Sequence, residues 1–103
     1  MPAISEAANA VASGECDEGI FCCWSGTGAS MVANKTSGLW AALCTDVETA
    51  QLSRIWNHAN VLILSNRLLT ADAIPSIVGA WFEPFDPTTG LTGVKDLKNL
   101  DPR

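Results

Sequence analysis

The sequence predicts an α/β fold of the Rossmann-like kind, a three-layer arrangement in which a parallel sheet carries helices on both faces. Three apolar runs of strand length alternate with segments of helical periodicity, and a glycine-rich loop follows the first run. Such alternation at short spacing is typical of right-handed βαβ units. The 103 residues, 48% of them hydrophobic, are enough for one domain. Because three strands are few for such a sheet, we expect the chain to form part of a larger one.

The first helix and the first strand are predicted from periodicity. Alanine and other apolar residues recur at helical spacing from Ala3 to Ser13, and Gly14 is a typical C-terminal stop. The apolar run from Gly19 to Cys23 is the first strand. From Cys23 onward the sequence is Cys-Trp-Ser-Gly-Thr-Gly-Ala-Ser, and this loop leads into a short helix over Met31 to Lys35. The order is therefore strand, glycine loop, helix.

The middle of the chain repeats this alternation. Leu39 to Cys44 is a continuous apolar run, which predicts a strand buried on both faces. The tetrapeptide that follows, Thr45 to Glu48, matches a capping box. In this motif the Thr45 side chain accepts a hydrogen bond from the backbone N–H three residues later, and the Glu48 side chain accepts one from the backbone N–H of Thr45. A helix is predicted from about Asp46 to Trp56.

The last strand and helix are followed by a change of composition. Val61 to Ser65 is the third strand, and either Thr70 or Asp72 caps a helix that runs to about Phe82. A cluster of turn-forming residues comes next. We therefore expect residues 83–103 to be a turn-rich, loosely held tail of a single domain spanning residues 1–103.

Charge and cysteine content exclude several classes of function. A net charge of −5 with six scattered basic residues disfavours nucleic acid as a partner. No apolar run is long enough to cross a bilayer, and the N-terminus lacks the order of a signal peptide. The four cysteines fit neither a metal-ligand spacing nor a secreted disulfide scaffold. We expect a cytoplasmic protein with free thiols and no bound metal.

The glycine loop is the segment that carries chemistry. Its backbone N–H groups lie at the positive end of a helix, where they can hold an anion or a developing oxyanion beside the Cys23 thiol. A thiol in that position has a lowered pKa and can act as a base. The alternative is that Cys23 is a small packed residue and the glycines serve only a tight turn. Cys22 points to the opposite face of the strand, where we expect it to pack against a helix.

From Pro2 to about Phe82 the chain resembles the C-terminal portion of the ribose-5-phosphate isomerase B and galactose-6-phosphate isomerase family. The resemblance is carried by Gly19 through Lys35, Ala41 to Cys44, Asn57 to Leu62, and Arg67, in one order. Members of this family interconvert aldose and ketose sugar phosphates through an enediolate, as dimers with active sites at the subunit interface. The resemblance implies a homodimer or higher homo-oligomer that acts on a sugar or sugar phosphate without a metal or organic cofactor.

The resemblance also implies roles for individual residues. It assigns Cys23 as the base that moves a proton between C1 and C2, and places Ser25 beside it where the family commonly has threonine. Asn57 matches a substrate-binding asparagine, and Arg67, which follows a strand end, is a candidate contact for an anionic group. The loop around the substrate oxygen is formed by Trp24, Ser25, Gly26, Thr27 and Gly28.

The chain departs from the family pattern at several positions. Trp56 stands where several members carry a histidine that helps to open the sugar ring, and His58 stands where aspartate is usual. Trp24 replaces a glycine, and the arginine-rich tail that grips phosphate in the family is absent. The family's opening strand-helix segment, which carries an Asp-His motif, has no counterpart before residue 2.

These departures keep two other functions open beside an aldose-ketose isomerase. The first is a non-catalytic or truncated isomerase-like subunit that binds or assembles but does not turn over substrate. The second is a small anion- or nucleotide-binding module that uses the glycine loop alone. The second is disfavoured because the loop lacks the lysine of a P-loop and the spacing of a dinucleotide fingerprint.

Overall fold

The computed structural model describes residues 2–101, in which helices and strands alternate as the periodicity predicts. None of the helices in this part of the chain has the length and apolarity that crossing a membrane requires. The elements are α1 (Pro2–Ala12), β1 (Gly19–Cys23), α2 (Thr27–Asn34), β2 (Ala41–Leu43), α3 (Val47–Asn57), β3 (Val61–Ser65), α4 (Ala73–Trp81) and α5 (Leu91–Leu100).

The strands form one parallel sheet in the order β1-β3-β2. Gly19 pairs with Val61 and Cys23 with Ser65, so the carboxyl ends of β1 and β3 lie at the same edge of the sheet. All five residues of the central strand β3 are buried. This confirms the predicted Rossmann-like class, with a parallel sheet between two layers of helices.

The side chains of β3 supply both hydrophobic layers. Val61 and Ile63 belong to the cluster formed with residues of α1 and α2, while Leu62 and Leu64 belong to the cluster formed with α3 and α4. A run of consecutive apolar residues, as in Val61 to Leu64, is the expected sequence for a strand covered on both faces. The continuous apolar run of this strand therefore reports its central place in the sheet.

The prediction of a buried strand over Leu39 to Cys44 is only partly confirmed, since Leu39, Trp40 and Cys44 are buried but lie outside the strand. The strand contains only Ala41 to Leu43, and these residues are half-buried, because β2 lies at an edge and pairs with β3 alone among the described strands. The Asn34 side chain occupies the free edge: its Oδ1 accepts from the Ala41 N–H at 2.8 Å and its Nδ2 donates to the Ala41 carbonyl at 3.1 Å. A side-chain amide thus takes the place of another strand at this position.

Helix α3 begins one residue later than the capping box implies. Its N-cap is Asp46, which has extended backbone dihedrals and accepts from the Thr49 N–H at 2.7 Å. Thr45 is therefore not the cap, and the predicted capping box with Glu48 is wrong. Aspartate and threonine are both good N-caps, so adjacent candidates compete, and the aspartate forms the bond here.

Strand β1 is the other edge of the sheet, and one of its faces is uncovered. Phe21 is buried against α1 and α2, whereas Ile20 and Cys22 point to the opposite face and are exposed. The prediction that Cys22 packs against a helix is wrong, because α3 and α4 cover β3 and leave this part of β1 open.

The end of the chain is more ordered than its composition suggests. Residues 87–90 form a turn, but α5 follows and packs against α3, with Val94 buried. Asp101 then accepts from the Ser37 hydroxyl at 3.0 Å and the Gly38 N–H at 3.1 Å, which joins the end of α5 to the turn before β2.

Helix α4 has the predicted position. Pro75 lies in its first turn, where the missing N–H of proline costs no hydrogen bond.

Candidate active site

The candidate site lies where β1 and β3 end side by side. The Asn66 N–H donates to the Cys23 carbonyl at 2.9 Å, and the Arg67 N–H donates to the Trp24 carbonyl at 2.8 Å. The Ser65 hydroxyl donates to the same Trp24 carbonyl at 2.9 Å. The segment after β3 therefore continues the ladder of the sheet and holds the start of the glycine loop.

Gly26 makes the turn from β1 into α2. Its φ of 82° is in the left-handed region, and it serves as the N-cap of α2. The backbone conformation requires glycine, and a Cβ at this position would also lie 2.6 Å from Cδ1 of Leu43, whose side chain would have to shift. Thr27 and Gly28, expected in the loop, form the first turn of the helix instead.

The Cys23 thiol faces a set of backbone amides. The N–H of Gly26, followed by that of Ala29, lowers the pKa of the thiol below its ordinary value, and the N–H groups of Trp24 and Ser25 act in the same direction with smaller effect. Partial burial opposes them but is outweighed. The thiolate is thus favoured by the dipoles of the loop and of the helix N-terminus rather than by a charged side chain.

The hydroxyl groups of the loop bond to one another and to the backbone. Ser25 Oγ lies 2.8 Å from Thr27 Oγ1, and Ser25 Oγ also accepts a long bond of 3.4 Å from the Thr27 N–H. Ser30 Oγ donates to the Gly26 carbonyl at 2.7 Å. These bonds fix the loop around Cys23 and leave the Ser25 and Thr27 hydroxyls at the surface.

The structure brings most of the predicted site residues together on one surface. Trp24 is 69% exposed, Arg67 is exposed and Cys23 is half-buried. The group at this edge of the sheet comprises Cys23, Trp24, Ser25, Gly26, Thr27, Gly28 and Arg67. In a single chain this group is open to solvent.

Asn57 is not part of this group within one chain. It is the last residue of α3, which ends before β3 begins, and its neighbour Asn60 accepts from the N–H of Gly19 at the start of β1. Asn57 therefore lies at the amino-terminal edge of the sheet and Cys23 at the carboxyl-terminal edge, separated by roughly 13 Å of strand. Trp56 lies on the same side as Asn57, where it does not flank Cys23 of its own chain.

His58 has a local structural role. It has a φ of 49° at the C-cap of α3, and its Nε2 lies 3.0 Å from the Pro87 carbonyl. Its ring also packs 5.8 Å from that of Phe85. Within residues 2–101, no three His, Cys, Asp or Glu side chains are grouped so as to hold a metal ion.

Sequence reasoning missed Ser65. It is buried, lies opposite Cys23 in the sheet register and bonds to the loop. The available signal was a hydroxyl residue at the end of an otherwise aliphatic strand, because a buried hydroxyl requires a partner.

Comparison with known proteins gives one family. Residues 2–95 match the family model described as Ribose/Galactose Isomerase. Ribose-5-phosphate isomerase B of Escherichia coli is 44% identical over 77 residues, which are 75% of this chain and 52% of that protein. The galactose-6-phosphate isomerase subunit LacB of Clostridium acetobutylicum is 40% identical over 83 residues, 80% of this chain and 48% of the relative.

Solved structures agree with the sequence comparison. Ribose-5-phosphate isomerase B of Clostridium thermocellum superimposes with a TM-score of 0.87 at 38% identity, over 94% of this chain and 66% of the other. The chain spans about half the length of the curated relatives it matches. Because the superposition covers 94% of this chain, the likeness includes the sheet, both helix layers and the loop after β1.

Proposed function

Because this chain belongs to the ribose/galactose isomerase family, we propose that it forms the catalytic part of an aldose-ketose isomerase with Cys23 as the base. The observation that carries the proposal is the half-buried thiol whose pKa is lowered by the amides of Gly26 and Ala29. A base of this kind must be deprotonated near neutral pH and lie next to groups that favour negative charge. The amides of the loop after β1 favour negative charge beside Cys23 and shift the thiol toward the thiolate, which supports the proposal.

The proposed reaction moves one proton between neighbouring carbons. The Cys23 thiolate removes the proton from C2 of the open-chain aldose, and the electron pair of that bond forms the C1–C2 double bond of an enediolate. The positive N-terminus of α2 stabilises the negative charge on oxygen. The hydroxyl proton on O2 passes to O1, and the thiol returns its proton to C1 as the C2 oxygen becomes a carbonyl, which yields the ketose and restores the thiolate.

The position of Asn57 supports a homodimer or higher homo-oligomer. Asn57 and Cys23 lie at opposite edges of the sheet in one chain, so both contact one substrate only if a second copy supplies Asn57. The candidate site is also open to solvent in a single chain, whereas stabilising an enediolate requires water to be excluded. A second subunit laid over Trp24 would meet both requirements.

We propose a sugar or sugar phosphate as the substrate. The curated relatives are named for phosphorylated sugars, including ribose 5-phosphate and galactose 6-phosphate. Arg67, exposed beside the loop, is the residue of this surface that would contact an anionic group. All four cysteines are free thiols, which fits the reducing cytoplasm that we propose as its location.

A non-catalytic binding or assembly subunit is the second candidate. It is favoured by Trp56, which stands where the resemblance places a ring-opening histidine and whose indole cannot shuttle a proton. In this case Cys23 would pack against the loop and the surface would bind sugar without turnover.

Replacing Cys23 by alanine tests the proposal. The purified chain and its Cys23→Ala variant are assayed with pentose, hexose and tetrose phosphates and the free sugars, in D2O, with ketose formation and deuterium at C1 followed by NMR. Cys22→Ala is the matched control, because Cys22 is adjacent and exposed but points to the other face. We expect turnover with deuterium incorporation in the parent and the control, and its loss in Cys23→Ala.

Equal turnover in Cys23→Ala and the parent would contradict the role of the thiol. Sugar binding without turnover in the parent would instead support the second candidate.

A further inference from the structure

Ser65 is a buried hydroxyl at the end of the central strand. In residues 2–101 only two polar residues are buried, Ser53 and Ser65, and Ser65 has no exposed surface. The four residues before it in β3 are aliphatic. A hydroxyl costs free energy when buried unless it forms a hydrogen bond, and Ser65 satisfies this by donating to the Trp24 carbonyl at 2.9 Å.

This bond acts on the peptide that leads into the glycine loop. A trans peptide is planar, so its carbonyl and the following N–H point in opposite directions. When the Trp24 carbonyl is held toward β3, the N–H of Ser25 is turned to the other side. This N–H is one of the four amides that lower the pKa of Cys23, and its effect is the smallest of the four. The preceding peptide is fixed in the same way by the Asn66 N–H on the Cys23 carbonyl.

Three bonds join the loop to the end of β3 and the residues after it, and one of the three depends on a side chain. Asn66 and Arg67 contribute their backbone N–H groups, which any residue at those positions would provide. The hydroxyl of Ser65 is supplied by the side chain, so substitution removes this bond and leaves the other two in place. Its removal reduces the donors on the Trp24 carbonyl from two to one.

We propose that Ser65 is a positioning residue of the candidate site: its hydroxyl holds the Trp24 carbonyl against β3 so that the amides of the loop face Cys23. The inference rests on the proposed function for its biological meaning. Its chemical consequence is an increased thiolate fraction of Cys23, which is measurable without any substrate.

Charged groups near the thiol are few. Residues 24–30 and 65–69 contain one charged side chain, that of the exposed Arg67. Helices α1 and α2 pack against the same face of β1, and they contribute only Glu6 on α1 and Lys35 just after α2, both exposed. A change in the thiol titration on removing the Ser65 hydroxyl therefore reports the amides of the loop.

The test measures the pH dependence of Cys23 alkylation by iodoacetamide, followed by mass spectrometry in a Cys22→Ala background. The variants are Ser65→Ala, which removes the hydroxyl, and Ser65→Thr, which keeps it. Ser53→Ala is the matched control: Ser53 is also buried, but its hydroxyl donates to the Ala50 carbonyl at 2.8 Å on the other side of the sheet. Circular dichroism verifies that each variant folds.

We expect the alkylation midpoint of Ser65→Ala to move to higher pH and its rate at pH 7 to fall about threefold. Ser65→Thr and Ser53→Ala should keep the midpoint of the parent. An unchanged midpoint in folded Ser65→Ala overturns the proposal. If the alanine variant does not fold, Ser65→Cys, a weak donor of similar size in a separate tryptic peptide, makes the same comparison.

The outcome is separable from that of the proposed function. If the chain shows no isomerase turnover, the alkylation midpoints still decide whether Ser65 positions the loop. If it does turn over substrate, kcat should fall in Ser65→Ala at neutral pH and recover as the pH is raised, whereas KM stays near the parent value.

Discussion

Backbone amides, rather than charged side chains, lower the pKa of Cys23. The loop that supplies them depends on two local features. Gly26 has no Cβ, and the Ser65 hydroxyl donates a hydrogen bond to the Trp24 carbonyl. At this scale a residue matters because its backbone conformation or one hydrogen bond cannot be supplied by another residue type.

Gly26→Ala tests the requirement for glycine at the turn into α2. An added Cβ would strain a backbone with φ of 82° and would lie 2.6 Å from Cδ1 of Leu43. Gly14→Ala is the matched control, since Gly14 has a φ of 85° but open space around its Cβ. We expect chemical denaturation to give a loss of about 1 kcal/mol for Gly14→Ala and about twice that for Gly26→Ala.

Equal losses in the two variants would show that Leu43 yields without cost. In that case the conformational strain alone would require glycine at position 26.

At the scale of the elements, the ends of the helices are set by contacts that adjacent residues compete to make. Helix α3 begins directly after Asp46, because the Asp46 side chain accepts from the free N–H of Thr49. Helix α5 approaches the end of α3 so closely that Gly90 has no room for a side chain. Local sequence offers the candidates, and packing selects among them.

Asp46, not Thr45, is predicted to cap α3. The Thr49 N–H and hydroxyl hold the pKa of the Asp46 carboxyl below its ordinary value. A lowered pKa in the folded state means that the cap stabilises the fold above the ordinary carboxyl pKa and that this contribution is lost as the pH falls through the lowered value. We expect thermal unfolding at pH 7 to show a lower Tm for Asp46→Ala and an unchanged Tm for Thr45→Ala.

Asp46→Asn is the companion variant, because asparagine is a good N-cap without a titrating group. It should retain most of the stability at pH 7 and lose less than the parent on acidification. A larger destabilisation by Thr45→Ala than by Asp46→Ala would contradict the assignment of the cap.

Gly90→Ala and Gly93→Ala test how closely α5 approaches α3. A Cβ on Gly90 would lie 2.7 Å from Cα of Trp56 and would also clash with the Ile55 carbonyl, and backbone atoms cannot move aside. On Gly93 the nearest atom, the Trp56 carbonyl oxygen, is at an ordinary 3.5 Å. We expect Gly90→Ala to destabilise the fold by about 2 kcal/mol and Gly93→Ala to stabilise it by up to about 1 kcal/mol.

Urea denaturation of both variants measures the two values. Similar stabilities would mean that α5 does not pack against α3, and would restore the expectation of a loosely held tail.

At the scale of the whole molecule, the proposed site residues lie at opposite ends of the strands. The group around Cys23 lies at the carboxyl ends of the strands, and Asn57 lies at the other edge. One face of β1 is also uncovered, with Ile20 and Cys22 exposed. These features fit a protein that functions as an assembly.

Mixing two inactive variants tests whether the site is shared between subunits. If one subunit provides Cys23 and its partner provides Asn57, a hybrid of Cys23→Ala and Asn57→Ala contains one intact site. Refolding an equal mixture should then restore about a quarter of the parent activity, since half of the dimers are hybrids with one working site each. No recovery, with hybrid dimers verified by native mass spectrometry, would place both residues in the site of one chain.

The sequence by itself determined most elements of this protein, because they depend on neighbours along the chain, though it did not determine α5 or the length of β2. The aliphatic run of β3, Gly26 in the turn after β1 and the periodicity of α1 each follow from a local requirement, and all three are found where they were predicted. The group from Cys23 to Gly28 was predicted for the same reason, since it is contiguous in the chain.

Only the tertiary structure decided which strands are edges, how α5 packs, and which residues share a site. The half-burial of β2 and the exposure of Cys22 follow from the strand order, and Ser65 meets the loop through a register that spans 41 positions of the chain. Asn57 was assigned to the site by resemblance, yet it lies at the far edge of the sheet in one chain. Local patterns do not encode such relations, because they arise from the pairing and packing of segments distant in sequence.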